Sequence, residues 1–211
     1  MEQKARFILE QVGKLYRRYG IKSVTMDDVA RELGRSKKTL YQHFRNKEDL
    51  LRKVLLNEYE RHRCILAEST TGRPQNAIEE LFEVYKMTSA MLRDFNPSMS
   101  YDLRKYYPRL FVQIRDLWRK RVLESALDNL DKGKKEGLYR KELNSGIIAK
   151  LHVSRAESMH DNDLFSPEEL GSIKMFHEVF VYHLNGILSH EGRSFFEMHF
   201  DQFKSTLQAT I

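Results

Sequence analysis

A chain of 211 residues, 41% hydrophobic and 31% charged, is long enough to bury a substantial core and too apolar to remain disordered. Its single cysteine, Cys64, rules out an intramolecular disulfide. No basic stretch leads into an apolar run as a secretion signal would, and no run of about 18 apolar residues is present to cross a bilayer, so no membrane role and a reducing, cytoplasmic setting are expected.

The formal net charge of +6 is localised. Residues 1–64 hold 16 Lys/Arg against 9 Asp/Glu, while the remainder is close to neutral. Between Arg31 and Lys47 six cations (Arg31, Arg35, Lys37, Lys38, Arg45, Lys47) stand against one acid, Glu32. Such a block suits a polyanionic partner, with a solvated charged face as the plainer alternative.

In chain order, Ile8, Val12, Leu15 and Tyr19 recur at helical spacing from Lys4 onward, and Gly20 ends that first helix. Thr25 then reads as an N-cap with Asp28 three residues on, opening a two-turn helix that buries Val29, Ala30 and Leu33 before Gly34. Ser36 caps a third helix whose only apolar pair is Leu40 and Phe44, which predicts that most of it is exposed. Asn46, with Asp49 at N3, opens a long fourth helix that runs to the break over residues 70–74.

The rest of the chain reads as further helices without an alternating strand pattern, about ten in all. One extends from Pro74 to about Phe95, and Asn96-Pro97 starts a short one that must stop before Pro108. The stretch 108–135 is apolar nearly all round and is expected to be central and buried, with Gly137 closing it. Asn144 caps the next, with Leu143 and Ile148 placed as a hydrophobic staple. Ser166-Pro167-Glu168-Glu169 signals a long helix to about His190, stopped by Gly192, and Ser194 with Glu197 opens a last one.

Three short helices with a glycine turn between the second and third describe a helix-turn-helix, whose third helix enters the major groove. At this point the chain resembles a known family. Val24-Thr25-Met26-Asp27-Asp28-Val29-Ala30, Leu33-Gly34, Ser36 to Phe44 and Asn46-Lys47-Glu48-Asp49-Leu50-Leu51 are similar to the DNA-binding domain of the tetracycline-repressor (TetR/AcrR) family, over residues 4–55. The resemblance implies an all-α protein: a helix-turn-helix domain over 1–50, and a helical effector-binding and dimerisation domain over 51–211.

It also implies roles for individual positions. Thr25, Thr39, Tyr41 and His43 match positions that touch the DNA backbone, and Lys47 matches a phosphate contact. Lys37, Lys38 and Gln42 match the variable positions facing base edges. Ser36 lies in the same stretch, and Arg35 and Lys38 depart from the usual pattern by adding charge where small residues are common. The expected partners are double-stranded DNA carrying an inverted repeat, a second copy of the chain and a small-molecule effector. No cofactor is expected and no catalytic constellation is present, so an enzyme is the weaker reading.

For the dimer, helices over about 144–160 and 167–190 are expected. Ile173, Phe180, Leu184 and Ile187 form one apolar face of the longer helix, and Phe176, Val179, His183 and Gly186 another, so one face serves the core and the other a partner. For the effector, an aromatic-rich pocket around helix 108–135 is expected, with Phe82, Tyr85, Tyr101, Arg104, Phe111, Trp118 and His152 among its walls, against the alternative that these are ordinary core. A ligand tilting helix four would spoil the spacing of about 34 Å between two recognition helices. A lone Glu157-x-x-His160 lacks the second pair and further carboxylates of a di-metal bundle, and Cys64 reads as inert filler.

Overall fold

The computed structural model describes residues 2–69, 75–93, 96–158, 165–166, 168–169 and 172–199; the side chains of 2–5, 62–69 and 97 are not described. Among these residues the fold is all-α: α1(Glu2–Tyr19), α2(Met26–Glu32), α3(Lys37–His43), α4(Lys47–Ser69), α5(Ala77–Arg93), α6(Pro97–Tyr106), α7(Pro108–Lys135), α8(Ser145–Ser158), α9(Ile173–Ile187) and α10(His190–Met198). Cys64, His160 and Pro167 lie outside the described side chains.

Most boundaries follow from short-range chemistry. Gly20, Gly34 and Gly137 have positive φ where α1, α2 and α7 end, a conformation that costs a glycine little. Asn46 accepts the Asp49 amide at 2.8 Å, Asn144 accepts the Ile147 amide at 3.0 Å, and Asn96 caps α6 ahead of Pro97. The helix expected from Pro74 begins instead at Ala77. Asn76 caps it, accepting the Ile78 and Glu79 amides while its own amide reaches the Glu79 carboxylate at 3.0 Å, a capping box inside the expected helix.

The chain packs into two compact units that do not follow it in simple order. One takes Met1–Ile65 with Phe95–Trp118, and the other Leu66–Asp94 with Arg119–Ile211. The first unit is built around Val12, Tyr16, Ile21, Val29, Leu40, Leu50, Leu51 and Val54, joined by Leu103 and Leu110 from α6 and α7. The second is built around Ile78, Phe82, Tyr85, Leu130, Tyr139, Phe180, Leu184 and Ile187.

Three expectations are corrected. Helix α7 is not buried all round: Leu110 and Leu130 are its buried large apolar side chains, while Val112 and Leu117 are 42% and 40% exposed. Its charges at Arg115, Asp116, Arg119, Lys120, Arg121, Glu124 and Asp128 fall on every turn and keep parts of each face toward water. The helix expected from Ser166 begins at Ile173, capped by Ser172; Ser166 and Glu169 close only a local turn, with the Ser166 amide on the Glu169 carboxylate at 2.9 Å. Nor does Gly192 stop a helix. Helix α9 ends at Ile187, Ser189 caps α10, and Gly192 lies buried within it. A Cβ at Gly192 would stand 1.9 Å from the Leu138 carbonyl oxygen, so the glycine serves a close approach rather than a chain break.

Candidate nucleic-acid interface

Helix α3 carries Leu40, fully buried, and is followed by Phe44 at 2% exposure. Those two anchors face the core, and Lys37, Lys38, Tyr41, Gln42 and His43 are exposed, with Thr39 half-buried. A seven-residue helix cannot hold itself, because nucleation costs more than so few hydrogen bonds return, so its ends are tied down. At the start, Ser36 accepts the Thr39 amide at 3.1 Å, and the two hydroxyls lie 2.8 Å apart. At the end, the Lys53 ammonium donates to the His43 carbonyl at 3.0 Å and to Asp49 at 3.1 Å, and sits 5.1 Å over the Phe44 ring.

Helix α2 is held by a reciprocal cap. The Asp28 amide donates to Thr25 Oγ1 at 3.2 Å, while the Thr25 amide donates to Asp28 Oδ2 at 2.9 Å and its hydroxyl to the same oxygen at 2.7 Å. These bonds hold the Asp28 carboxyl below its ordinary range, the Thr25 hydroxyl contributing most. The turn to α3 closes with the Arg35 amide on the Ala30 carbonyl at 2.9 Å, which leaves the Arg35 side chain exposed. The short helices are cross-braced by Lys37, whose ammonium donates to Asp27 at 2.9 Å.

Lys47 opens α4 and donates to the Lys22 carbonyl at 3.2 Å. Partial burial lowers its pKa, with Asp102 and Asp28 opposing that shift. Thus the ten positions singled out for DNA, from Thr25 to Lys47, fall within one unit around α2, α3 and the start of α4. Sequence reasoning missed Lys53 and Lys22. Lys53 acts through a ring and a carbonyl ten residues back, and Lys22 through contacts made by α6.

The residues expected around an effector are divided. Tyr101, Arg104, Phe111 and Trp118 belong to the first unit, and Phe82, Tyr85 and His152 to the second. Phe111 packs partly buried against the first core, while Tyr101 is 51% exposed. Phe82 and Tyr85 are packed into an aromatic cluster, with Tyr85 stacked on Phe176 at 5.2 Å and 4.5 Å from Phe180, and Phe82 edge-on to Phe180 at 5.3 Å. The Tyr85 hydroxyl lies 3.2 Å from His177 Nδ1. A surface groove of about 220 Å³ in the same unit is lined by Arg119, Lys120, Leu123, Lys150 and Val153.

Of the residues expected at a dimer interface, Phe180, His183 and Ile187 are buried within their own unit, Ile173, Phe176 and Val179 are half-buried, and Gly186 is exposed with nothing within 4 Å of a Cβ there. The His183 and His152 rings lie 4.8 Å apart, tilted by 44°, and Arg155 donates to His183 Nδ1 at 2.6 Å. Burial holds both imidazoles low, His183 to about 3 and His152 to about 4, and the Arg155 charge adds to both shifts.

Residues 8–54 match the family model described as bacterial regulatory proteins, tetR family. No curated protein matches the chain. Among solved structures, a TetR transcription regulator from Haloarcula marismortui ATCC 43049 is similar at TM-score 0.71 and 16% identity, over 90% of this chain and 100% of that one. A transcriptional regulator from Cytophaga hutchinsonii ATCC 33406 is similar at TM-score 0.68 and 20% identity, over 88% and 99%. A gamma-butyrolactone receptor (ArpA-like protein) is similar at TM-score 0.62 and 18% identity, over 100% and 98%. At these identities the likeness is one of fold. Over residues 8–54 the chain is therefore similar to the tetR family of bacterial regulatory proteins.

Proposed function

We propose that this regulator is a ligand-responsive repressor that binds an inverted-repeat operator as a homodimer and is released by a small-molecule effector. The observation that carries the DNA-binding part is the disposition of α3. Leu40 and Phe44 are spent on the core, and the remaining face offers Lys37, Lys38, Tyr41, Gln42 and His43 to solvent as hydrogen-bond donors and acceptors. Phosphate contacts from Thr25, Thr39, Tyr41, His43 and Lys47 would set the register, and Lys37, Lys38 and Gln42 would read base edges. Arg35 and Ser36 flank the same surface.

The dimer reading draws on the outward faces of α8 and α9. Ile147 and Leu151 are 57% and 51% exposed, Tyr182 is 75% exposed, and Gly186 is open. Apolar side chains at i, i+4 on one helix beside a bare glycine on the next suit a close helix-to-helix seam with a second copy. Phe180 and Ile187 then belong to the subunit's own core, and Val179 lies on the turn between Phe176 and Tyr182. The effector reading has support in a fold neighbour that is a gamma-butyrolactone receptor.

The test is selection of bound sequences from a random duplex pool by the purified protein, followed by titration of small molecules against the complex. Enrichment of an inverted repeat, bound by two chains and released by at least one compound, is expected. Enrichment of no common sequence would overturn the operator reading.

A further inference from the structure

We infer that Lys22 and Lys105, with Tyr101 and Tyr106, form a second phosphate-binding strip that carries the DNA contact surface beyond α3 and Lys47 onto helix α6. This rests on the DNA-binding reading above and adds a surface that neither the helix-turn-helix motif nor its spacing contains.

The strip is built within one compact unit, which holds both the N-terminal helices and α6. Asp102, 8% exposed, accepts the Lys22 backbone amide at 2.7 Å. Asn96 at the other end of α6 donates to the Arg17 carbonyl at 2.6 Å. Helix α6 is therefore pinned both to the last turn of α1 and to the turn that follows it, and the Lys22 backbone is fixed. Its carbonyl is the acceptor for Lys47 at 3.2 Å, so Lys22 is the immediate neighbour of the residue already placed at a phosphate.

From Lys22 the cations continue along aromatic faces. The Lys22 ammonium lies 4.9 Å from the Tyr106 ring centroid, and Lys105 lies 5.6 Å from the same ring and 5.0 Å from Tyr101, donating to the Tyr101 hydroxyl at 2.7 Å. Two ammonium groups share Tyr106, and their mutual repulsion is offset by attraction to the ring. The Lys22 ammonium, hydrogen-bonded to it, holds the Tyr106 phenol below its ordinary range.

No ion pair engages Lys22 or Lys105 among the described residues. The nearby acid, Asp102, is buried and already bonded to a backbone amide. Residues 96–118 hold Arg104, Lys105, Arg109 and Arg115 against Asp102 and Asp116, so the segment that joins the N-terminal helices shares their basic excess. Ammonium groups oriented by rings and not ion-paired among the described residues, next to the lysine proposed to hold a phosphate, suit phosphate oxygens of the same duplex.

The experiment measures duplex affinity against salt for the wild type, for K22Q/K105Q, and for K141Q/K174Q, which removes two exposed lysines from the other unit. Each lost phosphate contact lowers the salt slope by about 0.9. Because two chains bind each duplex, four contacts are lost and the K22Q/K105Q slope should be shallower by about 3.6, so that between about 50 and 200 mM salt the wild type loses about 150-fold more affinity than this variant. K141Q/K174Q should match the wild type. Both substituted side chains of the strip are exposed, and an unchanged circular dichroism melt is expected. A K22Q/K105Q slope equal to the wild type overturns the strip while leaving the regulator reading intact. Failure of the wild type to bind any duplex overturns both.

Discussion

The Asp102 carboxylate holds the Lys22 backbone amide at 2.7 Å across 80 positions of sequence. This bond also shapes the α1 to α2 turn, because a Cβ at Gly20, where φ is +79°, would approach Asp102 Oδ2 to 3.2 Å. D102A leaves a part-buried amide without its charged acceptor, and a cost of about 1–3 kcal/mol is expected. Urea denaturation measures it. Because the Lys22 carbonyl in that turn is the acceptor for Lys47, DNA affinity of the variant should fall as well.

Lowering the pH should destabilise the second unit. Arg155 is a permanent donor to His183 Nδ1, so that nitrogen must be an acceptor and the ring neutral. With folded pKa values depressed to about 3 and about 4 for His183 and His152, the unfolded chain binds more protons below about pH 6.5. Stability is therefore full above that value and declines as pH falls, by about 2 kcal/mol per imidazole at pH 5. Denaturation midpoints of the wild type and H183N, compared at pH 7.5 and 5, should converge. An equally steep decline in H183N would place the pH dependence elsewhere.

Base reading by α3 should separate from backbone binding by α4. K47A should weaken all duplexes about equally, whereas K37A and Q42A should change the sequence selected, each correct base contact being worth about 1–3 kcal/mol. The ion pair of Lys37 with Asp27 at 2.9 Å adds a further expectation. D27N frees the ammonium and removes a negative charge, so binding to every duplex should tighten. Selection experiments with the three alanine variants returning one identical site would refute the assignment of α3.

The seam proposed on α8 and α9 is tested by charge. G186E introduces a bulky anion where nothing lies within 4 Å in the subunit, and L151E does the same at a 51% exposed leucine. Light scattering should report monomers for either variant with an unchanged helical signal, together with loss of operator binding. Dimers of unchanged size would move the interface to another surface.

Gly192 and Gly186 should respond to alanine in opposite ways in the isolated subunit. At Gly192 the new Cβ meets the backbone oxygen of Leu138, which also accepts the Ser189 amide at 3.0 Å. Relief requires α10 to move, and a loss of about 1–3 kcal/mol is expected. At Gly186 the methyl meets open space on a helix, and a gain of about 0.5–1 kcal/mol is expected from backbone entropy. Thermal unfolding of G192A and of G186A in a monomeric L151E background distinguishes the two.

What the sequence determined by itself is what acts over three or four residues. The Thr25 to Asp28 box, the Ser36, Asn46, Asn96 and Asn144 caps and the Gly20, Gly34 and Gly137 turns are all realised, because each is a bond between near neighbours or a property of a single backbone. The exposure of α3 was legible for the same reason: Leu40 and Phe44 are its only anchors. Tertiary structure alone decided how the apolar residues of α9 divide, with Phe180, His183, Leu184 and Ile187 buried and Gly186 open, since periodicity marks a face as apolar without saying what covers it. It also decided that Gly192 is a contact with Leu138 instead of a stop, that the charges on α7 keep Val112 and Leu117 in water, and that Asp102 brings α6 beside Lys22. Each of these depends on segments 50 or more residues apart, or on cover from another element, and such pairings leave no mark in local spacing.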